Sequence, residues 1–218
     1  MEKKVLSNSE LYESRFHYKE ERSTARFFLT LAIIVSVFLC LLFGWRSAFG
    51  GVEVDGASME RTLQSGDMLL MRYCKLGVKA ERGDVIVVDV RGYEECGSTD
   101  FLIKRLIAVE GDSLYCIDGQ IHIRYAGTED YVPLREDYAY YTHRLDYDFT
   151  RYDVQEGEVF FLGDNRNNSL DSRYQENKSH IDGLYLATDI YGVVPDWAIE
   201  YRNVFEKIFF SQGAHSAG

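Results

Sequence analysis

Nineteen consecutive residues, Phe27 to Trp45 (FFLTLAIIVSVFLCLLFGW), carry no charge. A run like that has few ways to fold. As a helix rising 1.5 Å per residue it extends roughly 28 Å, close to the hydrocarbon thickness of a bilayer. Arg26 and Arg46 bracket it, and Trp45 suits the lipid–water interface. A cleaved signal peptide has a shorter apolar core, an earlier start and a small-residue exit. Here the run starts only at Phe27, and its exit reads Gly44-Trp45-Arg46. The segment therefore reads as an uncleaved, single-pass membrane anchor. Lys3, Lys4, Arg15, Lys19, Arg22 and Arg26 precede it, whereas Arg46 is the one basic residue between it and Arg61. By the positive-inside rule, the N-terminal arm (1–26) is cytoplasmic, 27–45 spans the membrane, and everything after residue 46 is extracellular.

The 218 residues allow one ordinary domain beside this appendage, and 46% hydrophobic content supports a real core. A formal net charge of −11 opposes a nucleic-acid grip, which needs clustered Lys and Arg. After the anchor, apolar runs recur at Asp67–Tyr73, Val85–Val90, Phe101–Val109 and Val159–Leu162, separated by Gly-Asp or Gly-rich breaks. Leu114–Ile117 and Gln120–Arg124 flank Asp118-Gly119, a type I′ hairpin signal. No helical patterns alternate with these strands, which argues against a doubly wound parallel sheet. The expectation is an all-β, mostly antiparallel domain, 46–112 and 158–210. It is interrupted at 113–157 by an inserted subdomain holding eight of the sixteen tyrosines, and followed by a flexible tail, 211–218. The run Trp197–Phe210 reads as either a short helix or a strand. Cys74, Cys96 and Cys116 follow the anchor with no Cys-x-x-Cys, so the sequence shows no zinc pattern and leaves open whether one disulfide forms.

Two residue types stand where chemistry is plausible. In strand alternation Lys104 shares a face with Leu102, Leu106 and Ala108, while Arg105 faces the other way with Phe101, Ile103, Ile107 and Val109. A lysine among apolar neighbours loses solvation, its pKa falls, and the neutral amine can serve as a general base. Ser58 follows Asp55-Gly56-Ala57, small residues that let a substrate backbone approach. It could be a nucleophile whose own N–H donates to an oxyanion. Taken singly, each also fits a bland reading, a snorkelling strand lysine and a loop serine. Gly111-Asp112-Ser113-Leu114 matches a short hydrolase signature, but no downstream Asp-x-x-His accompanies it, and it reads as a turn. His122, His143, His180 and His215 lie outside every motif, which ranks a Ser-His-Asp triad low.

Four stretches occur in order after the anchor: Ser58-Met59-Glu60-Arg61-Thr62-Leu63, Arg82-Gly83-Asp84 before Val85–Val88, Lys104-Arg105 with Gly111-Asp112, and GDNRNNSLDSR from Gly163 to Arg173. Together they resemble the bacterial type I signal peptidases over roughly residues 27–195. The resemblance implies a Ser/Lys dyad, with Ser58 as nucleophile and Lys104 as general base. It implies that Ser169 orients the lysine amine, that Asp171 and Arg173 form an ion pair beside the site, and that Met59 lines the substrate pocket. Gly163, Asp164, Asn165 and Arg166 match the turn that holds the segment. The chain departs from the family at Arg61, where proline is usual, and at Ala108 and Glu110, where glycine and proline are common. Gly56 replaces a serine that completes the oxyanion hole in some relatives.

What the resemblance implies is a membrane-anchored serine endopeptidase that removes signal peptides from exported preproteins. It prefers small residues at the first and third positions before the cut. Its partners are preproteins and membrane lipid, with no nucleic acid, metal or cofactor. The rivals are a pilus- or conjugation-specific Ser/Lys processing peptidase, a self-cleaving repressor (opposed by the anchor) and an inactive membrane-tethered binding module. Met59, Leu63, Met68, Leu69, Leu70 and Met71 either touch the bilayer surface or form ordinary strand core.

Overall fold

A computed structural model describes residues 8–93, 96–142, 148–173 and 185–202. The chain forms two compact units, Met1–Ser47 and Ala48–Gly218. The first is a helix, α1 (Asn8–Ala48). Its part from Thr24 to Ala48 is long and apolar enough to cross a membrane, and its apolar side chains are exposed. An all-round apolar surface is what lipid solvation requires. Residues 1–7 and the tail 211–218 lie outside the described residues.

The second unit is built on antiparallel sheet. Its larger sheet uses β1 (Phe49–Glu53), β2 (Met68–Tyr73), β3 (Val85–Asp89), β4 (Phe101–Val109), β9 (Val159–Leu162) and β10 (Ile190–Val194). Their order is β1-β2-β10-β3-β4-β9. A smaller sheet uses β5 (Ser113–Ile117), β6 (Gln120–Arg124), β7 (Val132–Pro133) and β8 (Phe149–Asp153), in the order β7-β6-β5-β8. The β5–β6 turn places Asp118 at φ 52° and Gly119 at φ 73°. Both central residues of a type I′ turn need positive φ, which Asp-Gly supplies at low cost. The short helix α2 (Asp196–Glu200) opens the apolar run that begins near Trp197, and from residue 203 that run lies outside the described residues.

Strand β4 sits between β3 and β9 and serves three clusters of core side chains. One of its faces places Leu102 and Leu106 against Ile86, Val88 and Phe161. The other places Ile103 against Val85, Val87, Met59 and Leu63. The alternation expected along β4 stops at Leu106. The β4–β9 register shifts between Leu106 and Ala108, and Ile107 and Ala108 both enter a third cluster with Leu114, Ile121, Ile123, Phe160 and Leu162. Ala108 therefore does not share the Lys104 face: a bulge inserts one residue and turns the rest of the strand over. That third cluster joins the two sheets.

The apolar set after Ser58 is core, not a lipid-facing patch. Met59, Leu63, Leu69 and Met71 are buried, and Met68 and Leu70 are half-buried. Cys74, Cys96 and Cys116 are all free thiols in this structure.

Candidate active site

Ser58 rides on the loop between β1 and β2. The loop's base is closed by Val54 N–H to Asp67 O at 2.9 Å and by Gly66 N–H to Val54 O at 2.8 Å. Met59 and Leu63, both buried, pin it from below, and Leu63 N–H reaches back to Met59 O at 2.8 Å. Met59 thus lies in the same apolar cluster as Ile103, the residue before Lys104. Burying two such side chains contributes roughly 3–6 kcal/mol toward holding the loop. Gly56 takes φ +89°, a region that favours glycine, and its N–H donates to Ser65 Oγ at 3.2 Å.

Strand β4 delivers Lys104 to the serine. Lys104 pairs with Ile86 across the β3–β4 ladder and is 2% exposed. Its Nζ donates to Ser58 Oγ at 2.8 Å and to the Ile103 carbonyl at 3.0 Å. Burial is the main influence on the amine and lowers its pKa from 10.5 to about 8, although Asp171, Cys96 and Asp164 push the other way. Desolvation disfavours the charged form, and here it outweighs three opposing neighbours. Among the described residues the Ser58 N–H donates to no protein acceptor. It is therefore available to a developing negative charge beside Oγ.

The segment after β9 forms the other wall. Asn165 grips the Ser58 loop twice: its N–H donates to Ser58 O at 2.9 Å and its Nδ2 to Ala57 O at 3.1 Å. Asp164 makes a two-pronged ion pair with Arg105, at 2.8 and 2.6 Å, deep in the protein. It also accepts from Thr62 Oγ1. Arg105 lies over the Tyr138 ring at 4.0 Å. Arg173 binds Asp171 through Nε and Nη2, at 2.8 and 2.7 Å. Burial raises the Asp171 carboxyl, but the Arg173 guanidinium and the Gly163 N–H outweigh it and leave its pKa lowered. Asp171 therefore stays ionised and supplies negative potential near Lys104. Ser169 is not bonded to the lysine. Its hydroxyl is buried, helps to keep the neighbouring Asp171 carboxyl lowered, and packs where a side chain on Gly163 would stand.

His122, the one histidine after the anchor among the described residues, stacks on Tyr115 in the smaller sheet; His143, His180 and His215 lie outside them. Ser113, in the Gly-Asp-Ser-Leu stretch, is fully buried and bonded to Tyr131. Neither offers a competing nucleophile–base pair. Sequence reasoning missed the aromatic support of the site. Glu136, Tyr138 and Tyr140 come from the inserted stretch and meet Arg166, Arg105 and Asn165. The signal available for them was the tyrosine density alone.

Comparison with known proteins adds a family to this geometry. The chain is 33% identical to a signal peptidase I of Bacillus licheniformis over 161 residues, covering 71% of this chain and 83% of that one. It is 31% identical to signal peptidase I P of Bacillus subtilis subsp. natto over 170 residues, 74% and 82% of the two chains. A crystal structure of a signal peptidase I from Enterococcus faecalis V583 aligns at 25% identity and a TM-score of 0.39, covering 54% of this chain and 98% of that one. The family described as signal peptidase, peptidase S26, matches residues 24–199. With a match across most of its length, and both members of the close serine–lysine pair inside it, the chain belongs to the signal peptidase family S26.

Proposed function

We propose that this signal peptidase cuts exported preproteins with Ser58 as nucleophile and Lys104 as general base. The observation that carries the reading is the 2.8 Å contact between Ser58 Oγ and a lysine amine 2% exposed and lowered to about 8. Neutral Lys104 takes the Ser58 proton as Oγ bonds to the scissile carbonyl carbon. The oxyanion is met by the Ser58 N–H. The carbon–nitrogen bond breaks, Lys104 gives its proton to the leaving amine, and the mature N-terminus departs. Water, its proton taken by Lys104, then cleaves the acyl ester and restores Ser58.

Other features support the reading to different degrees. Small residues at Gly56 and Ala57 fit a substrate with small side chains at the first and third positions before the cut. Asp171 and Arg173 hold the wall of the site through Gly163, whose N–H donates to Asp171 at 3.0 Å. The resemblance gives Ser169 the task of orienting Lys104; in the free enzyme Lys104 already has two bonds that do so. The arm 1–26 lies in the cytoplasm and the β unit outside, on the basic-residue asymmetry alone. The close dyad counts against an inactive tethered module, and no observation favours a pilus-specific substrate.

The test is cleavage of a preprotein by the detergent-solubilised full chain. Wild type produces the mature protein; Ser58→Ala and Lys104→Ala produce none while keeping the wild-type circular dichroism spectrum. Wild-type rates in either variant would remove the dyad.

A further inference from the structure

Asn165 holds the carbonyls of Ala57 and Ser58, but something must hold Asn165. Its neighbours on both sides are tied to Tyr140. Tyr140 N–H donates to Asp164 O at 2.6 Å, and Arg166 N–H donates to Tyr140 O at 2.9 Å. These two bonds bracket Asn165 as a parallel bridge. Tyr140 also presents its ring to the nucleophile loop itself, with the Arg61 guanidinium 4.3 Å from the ring centroid. One residue of the inserted stretch thus touches the Ser58 loop directly and braces the residue that grips it.

The stretch around Tyr140 is itself fastened. Glu136 forms a buried ion pair with Arg166, whose Nε also donates to Gly163 O at 3.0 Å. Tyr138 lies under Arg105. Thr142 N–H donates to Asn167 Oδ1 at 2.8 Å. The segment 136–142 is therefore a strap, clamped at several points to the same turn that forms the site wall. The loop it steadies needs steadying. It contains Gly56 and Gly66, both at positive φ with open space around them. At position 61 it carries arginine, which leaves the backbone angles free where proline would fix them.

We infer that Tyr140 is a positioning residue for the dyad: its backbone clamps Asn165 and its ring carries Arg61, and together they fix where Ser58 Oγ stands relative to Lys104. Reaction geometry is steep, and a shift of about 1 Å can cost roughly 10²-fold in rate. Among the described residues the Tyr140 hydroxyl makes no hydrogen bond, so the face of the ring does the holding. This inference rests on the Ser58/Lys104 reading.

The test uses the full chain in detergent and a model preprotein, with kcat, KM and pH–rate profiles for Tyr140→Ala, Tyr140→Phe, Arg61→Ala and the Tyr140→Ala/Arg61→Ala double variant. The expected result is a roughly tenfold or larger fall in kcat for each alanine variant, with KM within twofold. The double variant falls no further than the worse single one, since both remove one contact. Tyr140→Phe behaves as wild type, and the acidic limb of the profile stays in place because Lys104 remains buried. The inference is overturned if both alanine variants keep kcat within twofold, if their losses multiply, if KM alone changes, or if Tyr140→Phe loses as much as Tyr140→Ala. Arg61 is exposed, so Arg61→Ala reports on the same contact even if Tyr140→Ala fails to fold. Ser58→Ala, assayed alongside, separates the two claims. Activity in that variant sinks the dyad and the strap with it, whereas a dead Ser58→Ala leaves the Tyr140 results to judge the strap alone.

Discussion

In the proposed mechanism, Lys104 is the residue on which the chemistry turns. A solvated lysine is protonated at neutral pH and cannot accept a proton from serine. Here burial removes water from the amine. Asp171 and Asp164 keep its pKa from falling further. The balance leaves a group that is charged or neutral within the working range, the condition that suits a general base. Lys104→Arg tests the point, because guanidinium stays protonated and its forked head does not reproduce the amine. The variant is expected to lose roughly 10²–10⁴-fold in preprotein cleavage. Near-wild-type turnover by Lys104→Arg would mean that proton transfer does not pass through position 104. Position 56 matters in a smaller way. Glycine there supplies no hydroxyl, so the proposed mechanism leaves the oxyanion to the Ser58 N–H.

At the scale of elements, the turn from Gly163 to Arg173 decides how closely two walls can meet. A side-chain carbon on Gly163 would overlap Ser169 Oγ and stand 2.6 Å from the Ser58 carbonyl oxygen. No rotamer change relieves the second contact, because it is backbone. Gly163→Ala is expected to push the nucleophile loop away from β4 and lower kcat by roughly 10²-fold, while the circular dichroism spectrum is retained. An unchanged kcat in that variant would show that the close approach is not needed. Much of this element was legible in the sequence. Strand β4 shows through its apolar run, and the Asp118-Gly119 hairpin through its turn chemistry. The Asp171–Arg173 pair was legible through the family resemblance of the stretch from Gly163 to Arg173. The bulge at Ile107 was not legible, because it depends on register with β9, some fifty residues downstream. Nor was the strap. Glu136, Tyr138 and Tyr140 sit in irregular backbone without a period to read, and their partners at 105 and 164–166 are set by tertiary packing alone.

The whole molecule couples an apolar helix to a β unit, and the proposed orientation puts the basic arm in the cytoplasm and the β unit outside. Protease added to intact cells is expected to digest the part after residue 46 and to spare the arm 1–26; protection of the β unit would reverse the orientation. The central claim is that one buried amine, neutral above about pH 8, activates one hydroxyl. The most direct measurement is the pH dependence of kcat/KM for preprotein cleavage by the full chain, which reports the free enzyme's essential groups. Protonated Lys104 cannot take the Ser58 proton, so the rate should fall about tenfold per pH unit below the lysine's pKa and level off above it. The account predicts an acidic limb centred near 8; a limb centred near 10.5, the value of a solvated lysine, or none at all between about pH 6 and 10, would contradict it.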